Sequence, residues 1–225
     1  MKGIKSIVLG AGMAIATMLS CSTGGNTQLT ESGLNPAAFD TTINNKPVKL
    51  FTLKNKSGME VCITNFGGRV VSLTVPDKDG KPTDVVLGYD NIRQYADSVN
   101  SPSDYGSTVG RYANRIDKGH LHVNGKDYQL PQNNFGHCLH GGPSGWMYQV
   151  YDAEQPNDTT LVMRLMSPDG DNNFPGTVKT TATYKVLSNN TLDITFEATT
   201  DKETVVNMTN HSYFNLNGDP SKEGT

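Results

Sequence analysis

Short stretches that alternate apolar and polar residues, each followed by turn residues, recur from residue 48 almost to the end of the chain. Alternation of this kind places apolar side chains on one face of an extended segment and predicts β-strands with one buried face. The predicted strands lie at residues 48–53, 60–64, 69–75, 84–88, 149–154, 160–167, 178–187 and 191–200. No convincing helical period is present in the sequence, and residues 92–99 could form two helical turns at most.

The connections between these strands carry residues with defined turn chemistry. Pro76 fixes its own φ angle and Gly80 supplies a left-handed conformation, so residues 76–81 are predicted to turn the chain. Asn124 and Gly125 stand between two alternating runs at residues 121–130, which is a strong signal for a hairpin. Many strands without interleaved helices predict an all-β fold, an antiparallel sandwich or barrel.

The charge balance argues against one class of partner. The chain has 225 residues, with 19 Lys plus Arg against 22 Asp plus Glu and a formal net charge of -3. No basic surplus exists to neutralise a phosphate backbone, so we expect no nucleic-acid partner. Charged residues make up 18% of the chain and the mean hydropathy is -0.46, which is typical of a polar, turn-rich β protein and not of a coiled coil.

The N-terminal residues have the pattern of a targeting segment. Lys2 and Lys5 precede an apolar stretch at residues 7–19, which predicts a secretory signal over residues 1–20. A small residue followed directly by Cys21 resembles the lipoprotein box of bacteria, which implies cleavage before Cys21 and lipidation of its thiol. An ordinary signal peptide cleaved nearby and an N-terminal membrane helix are the alternatives.

The remaining chain divides into a predicted tether and one predicted domain. Residues 21–45 are rich in Thr, Gly, Asn and Ser and are expected to form a flexible tether. Residues 46–225 are expected to form a single β domain. With a lipidated Cys21, this organisation predicts a protein of the periplasm or outer membrane that meets the membrane only through its lipid anchor.

Two further cysteines, Cys62 and Cys138, could form one disulfide, although two cysteines in so long a chain do not make a disulfide framework. Cys62 lies in a strand pattern, where a buried thiol is the simpler interpretation. We therefore predict no bridge.

Four segments contain more polar and glycine residues than strand connections require. They are residues 110–116 (GRYANRI), 139–142 (LHGG), 167–176 (SPDGDNNFPG) and 207–216 (NMTNHSYFNL). In this order and at these separations they resemble the aldose 1-epimerases, the galactose mutarotase family. The resemblance runs from about residue 48 to the last residue.

The resemblance implies a large antiparallel β-sandwich of the galactose mutarotase type. It also implies an isomerase that interconverts the α and β anomers of free aldohexoses, such as glucose or galactose, without a cofactor. Mutarotation needs an acid that protonates the ring oxygen and a base that takes the anomeric proton. The family's acid falls on His211, and a second histidine beside the sugar falls on His140. The family's substrate-binding pair falls on Asn114 and Arg115, whose donors can hold several hydroxyls at once.

The same resemblance places the family's general base, a glutamate, and a sugar-binding aspartate beyond the segment that contains His211. The sequence ends at Thr225 soon after that segment, so the domain is expected to be incomplete at its C-terminus. Glu223 comes at a different place in the order and is not expected to replace the base. We therefore expect the 225-residue chain alone to be poorly stable or nearly inactive.

Two other functions use similar residues. A non-catalytic carbohydrate-binding module would bind a sugar in the same polar cleft without converting one anomer into the other. A hexose-phosphate epimerase would need further cations to hold the phosphate, and the motifs offer only Arg111 beside Arg115. Tyr213 and Trp146 could present a stacking face to a sugar, but an aromatic side chain in a β protein usually belongs to the core.

Four histidines and a cysteine lie close together in sequence, which raises the possibility of a metal site: His120, His122, His137, Cys138 and His140. On a strand, His120 and His122 would share one face. The spacing matches no strong zinc pattern, and the implied reaction needs no Lewis acid. We therefore predict no metal site and no cofactor.

Overall fold

The computed structural model describes residues 28–98 and 103–219. The strands of this part are β1 Thr41–Ile43, β2 Lys46–Val48, β3 Leu50–Lys54, β4 Glu60–Thr64, β5 Arg69–Pro76, β6 Pro82–Asp84, β7 Thr108–Val109, β8 Arg115–Ile116, β9 His120–Val123, β10 Lys126–Gln129, β11 Cys138–Leu139, β12 Asp152–Asn157, β13 Thr160–Ser167, β14 Val178–Val186, β15 Leu192–Thr200 and β16 Thr209–Asn210. The helical elements are the short α-helix α1 Ile92–Ala96 and the 3-10 turns Pro36–Phe39, Asp117–Gly119, Trp146–Tyr148 and Asp171–Asn173.

Two four-stranded antiparallel sheets form the body of the fold. One has the strand order β3-β4-β5-β6 and the other the order β12-β13-β14-β15, so consecutive strands are neighbours in both. Short two-stranded ladders, among them β7 with β16 and β8 with β11, join the loops beside the sheets. This architecture confirms the predicted all-β sandwich.

The main core lies between the two sheets. Val61 and Ile63 of β4 meet Leu161 and Met163 of β13, and all four side chains are fully buried. Burial of an aliphatic side chain of this size contributes about 1.5–3 kcal/mol to stability. Tyr184 of β14 also lies in this core, where its hydroxyl contacts the Thr108 hydroxyl at 2.6 Å and donates to the Gly68 carbonyl at 2.9 Å. The sandwich therefore buries this polar group with partners.

Strand β4 is buried on both faces, because a second apolar cluster covers the side that faces away from β13. Cys62 points into this cluster together with Leu34 and Phe39 from the N-terminal segment. Every residue of β4 is consequently buried, although its sequence alternates like a half-exposed strand. The buried Cys62 thiol agrees with the sequence interpretation.

The N-terminal segment corrects the prediction of a flexible tether for residues 28–45. Phe39 is fully buried and Leu34 is 8% exposed. The backbone N–H of Glu31 donates to the Glu60 carboxylate at 2.7 Å, and the Asn35 side chain accepts from the N–H of Ala37 at 3.0 Å. The composition of this stretch is dominated by small polar residues, so it indicated a tether. Two large apolar side chains of the stretch, Leu34 and Phe39, nevertheless pack on the outer face of the sheet. Cys21 and the predicted signal lie outside the described residues.

Several predicted strands coincide with observed ones. Strands β4 and β13 have the predicted bounds, and the hairpin of β9 and β10 turns at Asn124 and Gly125, which both have positive φ angles. The predicted strand at residues 84–88 differs: β6 ends at Asp84, and Val86 instead forms an isolated bridge with Phe214. No helix of the described residues has the length and apolar character that a membrane crossing requires.

Candidate active site

The four polar segments of the sequence come together beside the sandwich. Strand β16 pairs with β7, and β11 pairs with β8, so the segments around residues 210, 109, 139 and 115 become neighbours. The backbone N–H of Asn207 donates to the carbonyl of Arg111 at 3.0 Å. These ladders explain how side chains about one hundred residues apart in sequence reach one site.

Two histidines form the centre of the site. The ring centroids of His140 and His211 lie 5.3 Å apart and the rings are nearly perpendicular, at 86°. His140 is 8% exposed, whereas His211 is half-buried. The backbone of His211 is fixed by bonds from its N–H to the Ser107 carbonyl at 2.8 Å and from the Gly106 N–H to its carbonyl at 3.0 Å. The structure thus brings together the two histidines that the sequence resemblance selects.

The tautomer of His140 follows from its contact with Asn114. The backbone N–H of Asn114 donates to Nδ1 of His140 at 2.9 Å, and the backbone N–H of His140 donates to the Asn114 carbonyl at 3.0 Å. A backbone amide can only donate, so Nδ1 must keep its lone pair. The neutral imidazole therefore carries its proton on Nε2.

The electrostatic surroundings favour neutral His140. Burial lowers the pKa of His140 below its ordinary value, and the neighbouring His211 and Arg115 lower it further, while the carboxylate of Asp104 acts in the opposite direction. Desolvation is the largest of these effects. His140 is thus suited to donate a hydrogen bond from Nε2 without carrying a charge.

Asn114 and Arg115 form one rim of the site and are both exposed. Nη1 of Arg115 donates to Oδ1 of Asn114 at 3.2 Å, and its Nη2 donates to Oδ1 of Asn134 at 2.7 Å. Asn114 adopts a positive φ angle of 62°, which an Asn residue tolerates better than most others. The guanidinium is therefore held by two side-chain amides while part of it still faces solvent.

Arg111 has a structural position, unlike Arg115. It is 2% exposed, and its guanidinium donates to the carbonyls of Pro175 and Gly176 at 2.8 and 2.9 Å and to the Ser167 hydroxyl at 2.7 Å. These bonds join the segment at residues 167–176 to the segment that carries Asn114. Because Arg111 is buried and its Nη1 and Nη2 donors are engaged in the interior, it is not placed to bind a phosphate. The hexose-phosphate alternative thus loses one of its two cations.

The aromatic residues of the sequence analysis separate into core and site. Trp146 is 1% exposed and packs against Gly110, where an added Cβ would come within 2.0 Å of the indole ring. Tyr213 is 43% exposed, and its ring centroid lies 5.2 Å from that of His211 and 5.1 Å from that of Tyr105. Trp146 is therefore a core residue, whereas Tyr213 borders the histidine pair.

Asp104 was not selected by the sequence analysis, yet its carboxylate belongs to the site. Its Oδ2 lies 3.8 Å from Nε2 of His140. The loop that carries it is held from the core, because the buried guanidinium of Arg69 donates to the carbonyls of Ser103 at 3.0 Å and Tyr105 at 3.1 Å. Asp104 stands 36 residues before His140 and carries no motif of its own, so the sequence offered no signal for the contact.

Three side chains of the site carry atoms that could bind a metal ion. Asp104, His140 and His211 each offer one ligand atom, and these atoms lie within 4.8 Å of one another. Coordination by Nε2 of His140 would require its proton to move to Nδ1, where the Asn114 N–H already points. The hydrogen bonding therefore favours a ligand that accepts from Nε2, such as a hydroxyl, over a cation.

The other histidines of the sequence analysis do not join this group. His120 and His122 share the exposed face of β9, as predicted, and both contact the carboxylate of Asp127, at 3.2 and 2.7 Å. His137 contacts Asp117 at 3.2 Å. Each of these contacts joins an imidazole to a nearby carboxylate at the surface and not to the site.

Solved structures with this architecture are galactose mutarotase-like β-sandwiches. An aldose epimerase homologue from C. elegans superposes with a TM-score of 0.72 at 36% identity and covers 76% of this chain and 52% of its own. A galactose 1-epimerase from Lactobacillus acidophilus NCFM superposes with a TM-score of 0.69 at 32% identity and covers 78% of this chain and 51% of its own. The fold and the histidine pair thus define a mutarotase-type protein.

The profile of the aldose 1-epimerase family matches residues 49–225, and the chain belongs to this family. Aldose 1-epimerase of Escherichia coli K12 is 36% identical over 176 residues, which make up 78% of this chain and 50% of that protein. Galactose mutarotase of Mus musculus is 37% identical over 174 residues, or 77% of this chain and 49% of that protein. The chain thus spans about half the length of the curated relatives it matches.

Proposed function

We propose that the protein interconverts the α and β anomers of a free aldohexose, with glucose and galactose as the first candidates. The observation that carries the proposal is the perpendicular pair of His140 and His211, bordered by Asn114 and Arg115. A site with one neutral and one proton-exchanging imidazole suits a reaction that moves protons between oxygens of one sugar. Neither redox chemistry nor a cofactor is needed.

In the proposed reaction, His211 is the acid that protonates the ring oxygen while a base removes the proton of the anomeric hydroxyl. The bond between the anomeric carbon and the ring oxygen breaks, and the anomeric carbon becomes an aldehyde. Rotation about the next carbon-carbon bond presents its other face, and the same two groups then act in reverse. His140 donates from Nε2 near the ring oxygen, and Asn114 and Arg115 hold hydroxyls.

The base is assigned by family resemblance to a glutamate from the C-terminal part of the family's proteins. Because the chain spans about half the length of its relatives, the reaction is to be tested on the full native protein. Anomer exchange is followed by polarimetry from pure α-D-glucose or α-D-galactose. We expect exchange well above the spontaneous rate, and a loss of about 10² to 10⁴ on His211→Ala.

His122→Ala is the matched control, since this histidine is exposed and contacts Asp127 away from the site. It is expected to leave the rate unchanged. Sugar binding without any acceleration, retained in His211→Ala, would instead identify a carbohydrate-binding module. Equal losses of rate in His211→Ala and His122→Ala would contradict the assigned role of His211.

We also propose that the protein is a bacterial lipoprotein of the periplasm or outer membrane, anchored through Cys21. The proposal rests on the apolar segment at residues 7–19 and on the small residue before Cys21. Metabolic labelling with a radioactive fatty acid is expected to mark the wild-type protein and not Cys21→Ser. Labelling of both, or of neither, would overturn it.

A further inference from the structure

We propose that Asp104 is a sugar-binding residue whose carboxylate, together with the Nε2–H of His140, holds one hydroxyl of the substrate. The proposal rests on the proposed function, because it assigns a further contact within the same site. It concerns a residue in the loop before β7, outside the four polar segments of the sequence. In this role Asp104 would contribute to the choice of hexose.

The distance between the two groups suits a shared hydroxyl. Oδ2 of Asp104 lies 3.8 Å from Nε2 of His140, which is too long for a direct hydrogen bond. An oxygen about 2.8 Å from each atom can contact both of them. A hydroxyl donates one proton and accepts two, so it can accept from Nε2–H and donate to the carboxylate. Asn114 sets this direction by keeping the His140 proton on Nε2.

The carboxylate is available for such a contact. Its side chain is 32% exposed, and within the described residues its Oδ2 approaches Nε2 of the neutral His140 at 3.8 Å. Within those residues its oxygens accept no hydrogen bond, although an ionised carboxylate has about four acceptor positions. Asp104, His140 and His211 present their polar atoms within 4.8 Å of one another, so a ligand that contacts one of them meets the others.

The backbone of Asp104 is held in place before any ligand binds. Arg69 is fully buried and binds the carbonyls on both sides of Asp104, while its guanidinium lies 5.2 Å from the centre of the Tyr95 ring. The carbonyl of Asp104 itself accepts from the N–H of Ser107 at 3.1 Å and from its hydroxyl at 2.8 Å. A loop backbone held this way does not have to be ordered on binding, which favours affinity.

Orientation of His140 does not require Asp104. The backbone of Asn114 binds the imidazole at Nδ1, and His211 packs perpendicular to it. A carboxylate 3.8 Å away adds no hydrogen bond to that arrangement. The 3.8 Å separation therefore suits a hydroxyl placed between the two groups better than direct support of His140 by Asp104.

The experiment measures sugar affinity in the full native protein, independently of turnover. Dissociation constants are determined by NMR titration for glucose, galactose and a series of deoxy analogues that each lack one hydroxyl. The wild type is compared with Asp104→Asn and Asp104→Ala. Asp117→Asn is the matched control, since Asp117 contacts His137 at 3.2 Å with a carboxylate that is 79% exposed.

We expect Asp104→Asn to weaken binding of the parent hexose by about tenfold, the loss of one charge-assisted hydrogen bond. For the one analogue that lacks the shared hydroxyl, wild type and variant are expected to bind equally. Asp117→Asn is expected to change neither. Unchanged thermal midpoints show that both Asp104 variants are folded.

Equal weakening for every analogue would mean that Asp104 acts without touching the sugar, and unchanged affinity would mean that it does not act at all; either result overturns the proposal. Both results leave the proposed function standing, because the wild type still binds and exchanges its sugar. A wild type that neither binds nor exchanges any hexose would overturn the proposed function, and the assignment of Asp104 with it.

Discussion

The backbone N–H of Asn114 donates to Nδ1 of His140 across 2.9 Å, and this one contact fixes where the imidazole carries its proton. The donor is a main-chain group, so it has no protonation state of its own to change. His140 thereby becomes a neutral donor toward the site. In the proposed reaction this leaves the exchange of protons to His211, whose ring stands perpendicular to it.

The tautomer predicts a spectroscopic signature. In a two-dimensional ¹⁵N correlation spectrum near neutral pH, Nδ1 of His140 is expected to show the shift of an unprotonated nitrogen and Nε2 that of a protonated one. Exposed His122 serves as the comparison. A protonated Nδ1 in His140 would contradict the hydrogen bond from Asn114.

The lowered pKa of His140 predicts a loss of stability in acid. Burial holds the folded pKa below the ordinary value of 6.5, so the unfolded chain binds the proton first as pH falls. The stability that neutral His140 gives to the fold is fully present above pH 6.5. It declines as the pH falls from 6.5 to the pKa of His140 in the folded protein. The free energy of unfolding, measured with urea, is expected to fall between pH 8 and pH 5. In His140→Gln this fall is expected to be smaller. An equal decline in the variant would assign it to other groups.

Replacing Arg111 is expected to destabilise the fold. In Arg111→Lys, an ammonium cannot reproduce the fork that reaches the carbonyls of Pro175 and Gly176 and the Ser167 hydroxyl. The unsatisfied buried groups are expected to cost about 2–3 kcal/mol, measured by urea unfolding. Exposed Arg164→Lys is the control, expected within about 0.5 kcal/mol of wild type. An equal loss of stability in Arg111→Lys and Arg164→Lys would contradict the structural role of Arg111.

The N-terminal segment is expected to contribute to stability. Phe39→Ala removes a fully buried ring from the cluster around Cys62 and is expected to cost about 3–5 kcal/mol. Leu29, which is 57% exposed, provides the control: Leu29→Ala is expected to change stability by less than about 0.5 kcal/mol. A Phe39→Ala variant as stable as wild type would contradict the packed position of this segment and support the prediction of a flexible tether.

The two thiols of the described residues are expected to be unreactive. Cys62 and Cys138 are free and buried, and burial raises the pKa of each to about 11. In a Cys21→Ser background, iodoacetamide at pH 8 is expected to leave the native protein unmodified and to add two groups after unfolding in urea. A protein that takes up no label even after unfolding would indicate a disulfide between them.

The fold was predictable where local pattern and tertiary environment agree. The hairpin at Asn124 and Gly125 follows from backbone preferences of those two residues, and the prediction is confirmed. Strand β13 alternates because one of its faces meets the opposite sheet. The N-terminal segment was mispredicted, because the burial of Phe39 depends on a sheet face that local composition does not reveal.

The site was predictable only through the joint pattern of motifs. A lone histidine such as His211 is ambiguous in sequence, and the resemblance supplied its partner His140. Asp104 has no such support: its position depends on Arg69, a buried cation in β5 that binds two carbonyls of a distant loop. Contacts of this kind arise from three-dimensional proximity and leave no spacing rule in the sequence.

The packed N-terminal segment also limits how far the protein could stand from a membrane. The backbone N–H of Glu31 is bonded to the Glu60 carboxylate of β4, and Cys21 stands ten residue steps before Glu31. Fully extended, ten residues reach about 35 Å at most. A lipid at Cys21, as proposed, would therefore keep the domain close to the membrane surface. The distance between the bilayer and the first packed residues would then be limited by these ten residues, with no longer spacer between them.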